Sequence, residues 1–329
     1  MNIFLTTSPL QLICAIEAKS AYKTKNNILI IRDEKTESGK KQIKNLLVDN
    51  QWDHIIKLGR KNKIWNTSKV IWRLKKINPS LSFDNFFLAD YFAWRSNVIL
   101  ANIKTENEII IDDGTNTIQT YNYLSVKSNK THRNKPSLDR MLSLLNIKKP
   151  REISYKDNLS AFTMFNLKES TIKVQKNTFN QLQIKLKTSD SYDKDGKVGF
   201  IGQGLVNARG INLTSYLEIL NSILNKHPQG IIYFPHRSET QEVSDAIKEL
   251  DNIDFHNSKS PLEFEISEQK IKLSAIYGIT SAASFTISKI YKELPVYDIQ
   301  VPVSEYGMEE LGKTINYLHK EIGLPIADL

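Results

Sequence analysis

The chain has 329 residues, 40% hydrophobic and 25% charged, a globular composition that excludes a disordered chain and suits two domains of roughly 150 residues each. Its 45 Lys and Arg against 36 Asp and Glu give a net charge of +9, which favours acidic partners, although a Lys-rich solvated surface produces the same balance. The single cysteine, Cys14, excludes an internal disulfide framework and a Cys-rich zinc site and suits a reducing cytoplasm.

Ile3 to Ala18 is fairly apolar, but no basic residue precedes it and Pro9 and Glu17 interrupt it, so it reads as strand, turn and helix rather than a signal peptide. No stretch reaches the ~18 apolar residues of a membrane-spanning helix. In chain order, residues 2–7 predict a short strand. Thr7-Ser8-Pro9 then opens a helix, with a hydroxyl cap and Pro near the first position. Residues 27–31 are a continuous apolar run, as a parallel strand buried on both faces requires. A polar helix is predicted over 36–50, a strand over 54–58, and a helix over 63–77 stopped by Asn78-Pro79. Strands follow at 85–89 and 108–111. The middle is more polar, with helices predicted at 137–145 and 177–186 and a linker at 188–197. Strand 198–201 then runs into Gly202-Gln203-Gly204. Helices at 213–225, 240–250, 261–266, 281–292 and 305–319 alternate with strands at 230–234, 253–255, 271–277 and 295–299. Two rounds of alternation predict two doubly wound α/β domains, 1–190 and 191–329, with the last helix packing back on the first. Ligands are expected beyond the carboxyl ends of the strands.

Ile109-Ile110-Ile111-Asp112-Asp113-Gly114 ends an apolar strand in two carboxylates. Adjacent carboxylates repel, so one is expected to have the raised pKa of a general base; an ordinary Asp-Gly turn is the plain alternative. Tyr233-Phe234-Pro235-His236-Arg237 also ends a strand in polar groups. His236 could serve as an acid or phosphate donor and Arg237 as a fork for phosphate oxygens, or both could be loop surface. His54 and His256 look structural, and His132, His227 and His319 solvent-facing. In Gly278-Ile279-Thr280-Ser281-Ala282-Ala283-Ser284 a strand gives way to a helix with hydroxyls in its first turn, a phosphate cradle or a simple cap. Gly202 and Gly204 would admit a ligand close to the backbone, without being GxGxxG. Glu263 could accept from ribose hydroxyls or merely favour a helix start. Asp193-Lys194-Asp195 spells a metal-binding DxD but lies in the polar linker, so no metal is expected.

Taken in order, these pieces resemble the bacterial sialyltransferases, most closely glycosyltransferase family 52 and its capsule and lipooligosaccharide relatives. Thr7-Ser8-Pro9-Leu10-Gln11 is similar to the family's Thr-Pro-Leu-Gln start, Asp112-Asp113-Gly114 to its acidic-acidic-Gly motif, and Pro235-His236-Arg237 to its His-Pro motif with Arg in place of Pro. Thr280-Ser281 is similar to its Ser motif, with Ala282 where related families have a second serine and Ser284 further on. The resemblance implies a GT-B fold, two Rossmann-like doubly wound domains facing across a cleft. It implies an inverting, metal-independent and cofactor-free transfer of sialic acid or a related nonulosonic acid from a CMP donor to a cell-surface glycan. Asp112 would be the base, with Asp113 as its fallback or orienting partner. His236, seconded by Arg237, would stabilise the leaving phosphate. Gly202, Gln203, Gly204, Glu263, Thr280, Ser281 and Ser284 would hold the CMP donor, and Thr7, Ser8 and Asp90 would lie on the acceptor side. A lipid-linked acceptor would bring peripheral contact with the inner membrane from the cytoplasm, and a homodimer is a further expectation. The same architecture serves UDP-sugar transferases and UDP-N-acetylglucosamine 2-epimerases. A nucleic-acid or anionic-surface binder is the rival from charge alone, but Lys40-Lys41, Arg60-Lys61, Lys75-Lys76 and Lys148-Lys149 are scattered with no recognition motif, so nucleic acid is not expected.

Overall fold

A computed structural model describes residues 1–34, 37–47, 52–168, 170–186, 190–206, 209–236 and 238–329. Arg237, the ends of the predicted helix at 36–50 and the start of the predicted linker at 188–197 lie outside the described residues. The chain divides into two units, Met1–Asn177 and Thr178–Leu329, ahead of the expected 190/191 boundary.

The first unit runs β1 (Asn2–Thr6), α1 (Pro9–Ala21), β2 (Asn27–Arg32), α2 (Glu37–Leu46), β3 (His54–Leu58), α3 (Lys63–Ile77), β4 (Ser82–Leu88), α4 (Trp94–Asn102), β5 (Lys104–Ile111), α5 (Asn116–Ser125), β6 (Lys130–Thr131), α6 (Pro136–Leu144), β7 (Ile153–Ser154), β8 (Leu159–Thr163) and β9 (Lys173–Lys176). Its main sheet has the order β3-β2-β1-β4-β5-β8-β9, parallel at every pairing. β1 is buried along its whole length, and Phe4 stacks on Phe87 of the neighbouring β4 at 4.3 Å. That burial on both faces explains why the first strands read as uninterrupted apolar runs. β9, Lys-Val-Gln-Lys, is exposed throughout and carries no such signal.

The second unit runs α7 (Asn180–Leu186), β10 (Val198–Ile201), α8 (Leu213–Lys226), β11 (Ile231–Phe234), α9 (Gln241–Lys248), β12 (Ile253–Phe255), α10 (Leu262–Glu268), β13 (Ile276–Gly278), α11 (Ala282–Ile290), β14 (Val296–Asp298) and α12 (Glu309–Ile322). Its sheet has the order β12-β11-β10-β13-β14, again all parallel. α7 is fastened within this unit: Ser267 Oγ donates to the Leu186 carbonyl at 2.6 Å, and Lys185 lies over the Phe264 ring. No described helix is long and apolar enough to cross a membrane.

Both sheets reverse direction of growth beside their first strand, between β1 and β4 and between β10 and β13. A crevice opens at such a switch point, beyond the carboxyl ends of the two strands. Thr7 and Asp90 follow β1 and β4 in one unit; Gly202 and Thr280 follow β10 and β13 in the other.

Candidate functional site

In the first unit, the paired carboxylates at the end of β5 part company. Asp112 is 0% exposed, accepts from Thr163 Oγ1 at 2.5 Å and from the Met164 amide at 2.8 Å, and so pins β5 to the end of β8. Burial pushes its carboxyl up to about 7, against the pull of the Thr163 and Met164 donors. Burial, and not the repulsion from Asp113 expected from the sequence, is the main cause. Asp112 thus faces inward, and Asp113 is the partly exposed member of the pair. Asp113 is half-buried and accepts from Gln11 Nε2 at 2.5 Å, while its own amide donates to Thr117 Oγ1 at 2.7 Å. Gln11 Oε1 in turn accepts from the Thr7 amide at 2.7 Å. Ser8 is the N-cap of α1, its Oγ accepting from the Gln11 amide. Asp90 is half-buried, with its pKa raised by burial and then by Asp113, and lowered by Arg32.

In the second unit, β10, β11 and β13 bring most of the predicted donor residues together. His236 is exposed, and its Nδ1 accepts from the Ser238 amide at 3.2 Å and meets Ser238 Oγ at 2.8 Å. An Nδ1 that accepts a backbone N–H leaves the proton of the neutral ring on Nε2. The glycines pack against this turn. A Cβ on Gly202 would lie 2.7 Å from Tyr233 Oη and 2.8 Å from the His236 nitrogen, and one on Gly204 would lie 2.5 Å from His236 Nδ1. Gln203 spans the switch point, with Nε2 donating to the Ile279 carbonyl at 2.9 Å.

The turn after β13 is held from behind. Thr280 has φ +44°, unusual for a β-branched residue, and its amide donates to Asp298 Oδ1 at 2.5 Å. The other Asp298 oxygen meets His319 Nδ1 at 2.6 Å; the two side chains are 0% and 4% exposed. His319 is therefore a buried partner and not the solvent-facing residue its position suggested. Ser281 is half-buried and caps α11, Oγ accepting from the Ala283 amide at 3.2 Å. Ser284 is fully buried against Gly278, so it is Ser281 that faces outward. Glu263 is 5% exposed, and burial pushes its carboxyl up to about 7. Thr163, Asp298 and His319 were missed from the sequence.

No protein-family model matches the chain, and no curated protein sequence matches it. Among solved structures it is similar to the alpha/beta-galactoside alpha-2,3-sialyltransferase of the luminous marine bacterium Photobacterium phosphoreum. The identity is 13% and the TM-score 0.50, over 99% of this chain and 97% of that one. It is also similar to the UDP-N-acetylglucosamine 2-epimerase of Rickettsia bellii, at 12% identity and a TM-score of 0.50, over 98% and 95% of the two chains. Together with the two parallel sheets, this likeness defines the fold as two Rossmann-like units of the GT-B kind.

Proposed function

We propose that the chain is an inverting glycosyltransferase that moves a nonulosonic acid of the sialic acid class from a CMP donor to a glycan hydroxyl. The observation that carries this reading is the hydrogen bond between Gln11 and Asp113. These residues belong to two separate pieces of the sialyltransferase resemblance, the Thr-Ser-Pro-Leu-Gln start and the Asp-Asp-Gly motif, and they meet beside the switch point of the first sheet.

The base is Asp113, whose carboxylate removes the proton of the acceptor hydroxyl as that oxygen bonds to the anomeric carbon. The bond from this carbon to the donor phosphate breaks, and its electron pair leaves with CMP. The Nε2–H of His236 donates to the phosphate oxygen that gains charge, with Ser281 and the start of α11 alongside. Gly202, Gln203, Gly204, Thr280 and Glu263 hold the nucleotide. Asp112 acts through Asp113 as a positioning residue that fixes the end of β5.

The test is nucleotide release from a panel of CMP-nonulosonates and UDP-sugars, each with glycan acceptors. CMP release from wild type, reduced roughly 10²- to 10⁴-fold in Asp113→Asn with its fold retained, is expected. Release of UDP, or 2-epimerisation of UDP-N-acetylglucosamine, with no turnover of any CMP donor would overturn the reading in favour of the UDP-sugar alternative.

A further inference from the structure

The switch point of the first unit opens into a cavity of about 760 Å³. Its wall carries Arg32 from the end of β2, Arg60 and Lys63 from the start of α3, Arg95 from the start of α4, and Arg133 and Lys135 from the approach to α6. Asp90 is the lining carboxylate. Among the described residues, Arg60 is the one of these six cations with a carboxylate in an ion pair, Glu34 at 3.3 Å. Arg95 donates to the carbonyls of Gly59 and Arg60 at 2.7 and 2.9 Å, which fixes its guanidinium in place without neutralising it. Neither α3 nor α4 has a side-chain N-cap, so two helix starts add their positive ends to the same wall.

We infer that this cavity binds an anionic group of the acceptor, a sugar-borne carboxylate or phosphate, with Arg32 and Arg95 as its main ligands. The inference rests on the reading above only in taking the unit that carries Asp113 as the acceptor side.

Arg32, Arg60 and Arg95 are half-buried and Lys63, Arg133 and Lys135 exposed, and together they outnumber the nearby Asp90 and Glu34, an excess of positive charge that a ligand of opposite sign offsets. The repulsion leaves a mark. Arg95 is pushed down to about 10 by burial and by Arg32 and Arg60. Lys63 is lowered first by Lys135, and Arg32 by burial and then Arg60, against the opposing pull of Asp90, Glu34 and Asp113. A planar guanidinium matches the two oxygens of a carboxylate or phosphate. Phe92 and Leu58 supply apolar wall beside these charges, as a sugar ring requires. Thr7 and Asp90 line the same cavity, and Asp113 acts electrostatically on both Asp90 and Arg32. An anion held there lies beside the candidate base.

The experiment is calorimetric titration of the full chain, without CMP donor, against lactose, sialyllactose and galactose 1-phosphate. Sialyllactose binding well above lactose assigns a carboxylate, and galactose 1-phosphate binding above lactose assigns a phosphate. Either affinity should fall roughly 10- to 100-fold in Arg95→Gln, the loss of one charge-assisted contact. Because Arg95 also supports the backbone at Gly59, the exposed pair Lys63→Gln and Lys135→Gln is tested in parallel and should weaken binding and flatten its salt dependence. Lactose binding as tightly as the acids, unchanged affinity in both sets of variants, or stoichiometric displacement of the acid by CMP-sialic acid would overturn the inference. CMP release is read separately. Release without anion binding removes this site and leaves the proposed reaction, and anion binding without release does the reverse.

Discussion

Gln11 Nε2 donates to Asp113 Oδ1 at 2.5 Å, while Gln11 Oε1 accepts from the Thr7 amide at 2.7 Å. One side chain, 1% exposed, therefore fixes the Asp113 carboxylate against the loop that ends β1. Gln11→Leu keeps the buried volume and removes both contacts. A carboxylate that has lost its fixed orientation loses effective molarity toward the acceptor hydroxyl. The expected outcome is a fall in kcat of roughly 10- to 100-fold with KM for the CMP donor unchanged. Steady-state CMP release checks this, and a donor KM that moves with kcat would show that Gln11 acts on the nucleotide instead.

Gly204 has no room for a Cβ, because that carbon would lie 2.5 Å from His236 Nδ1. Gly204→Ala should turn the ring and break its bonds to Ser238. If His236 is the leaving-group donor, Gly204→Ala and His236→Ala damage the same interaction. Each alone should lower kcat by about 10²-fold, and the double variant should cost little more than either. Additive losses would mean that Gly204 meets the nucleotide by itself.

Much of the fold was legible in the sequence. The first strands read as apolar runs because parallel strands are buried on both faces, and the Asp-Asp-Gly and Pro-His pieces stand out because each lies where such a run ends. Which aspartate faces outward was not legible. Neighbours at a strand end point to opposite sides, and the inner side is decided by the end of β8, where Thr163 and the following Met164 bind Asp112 from 51 and 52 residues away. The cavity cations were equally hidden. Arg32, Arg60, Arg95 and Arg133 lie far apart in the chain and meet only because the sheet order places the ends of β2 and β4 beside the starts of α3 and α4. His319 looked solvent-facing for the same reason: its partner Asp298 lies on another element and is buried with it.

The Asp298–His319 pair carries the Thr280 turn. Burial raises the Asp298 pKa, and the Thr280 amide and His319 hold it back. Removing one member leaves the other buried without its partner, a loss of about 3 kcal/mol or more. Asp298→Ala should therefore lower stability in denaturant titration by that amount and also raise KM for the CMP donor, since Thr280 loses its anchor. Thr280→Gly tests the backbone separately. At φ +44° glycine is at ease where threonine is not, so this variant should match or exceed wild-type stability by up to about 1 kcal/mol. A Thr280→Gly protein as unstable as Asp298→Ala would mean that the threonine side chain, and not the turn, supports the site.

Asp112 predicts how stability varies with pH. Its carboxyl ionises near 7 in the fold against an ordinary 3.8, and burial is the main cause. Between those values the folded chain keeps a proton that the unfolded chain has released. This contribution is full below about pH 3.8 and is lost as pH rises through about 7, the opposite of a salt-bridged aspartate. Asp112→Asn cannot ionise, and its amide can still accept from Met164 and meet Thr163. Its unfolding free energy should fall less steeply than that of wild type between about pH 4 and 7, with the two curves closest at the acid end and the variant gaining on wild type toward the alkaline end. Glu263, also pushed up to about 7, adds a second share of the same slope, so Asp112→Asn should remove only part of it and a Glu263→Gln change most of the rest. Identical slopes for wild type and Asp112→Asn would mean that Asp112 stays charged in the fold, and would return it to contention as the base.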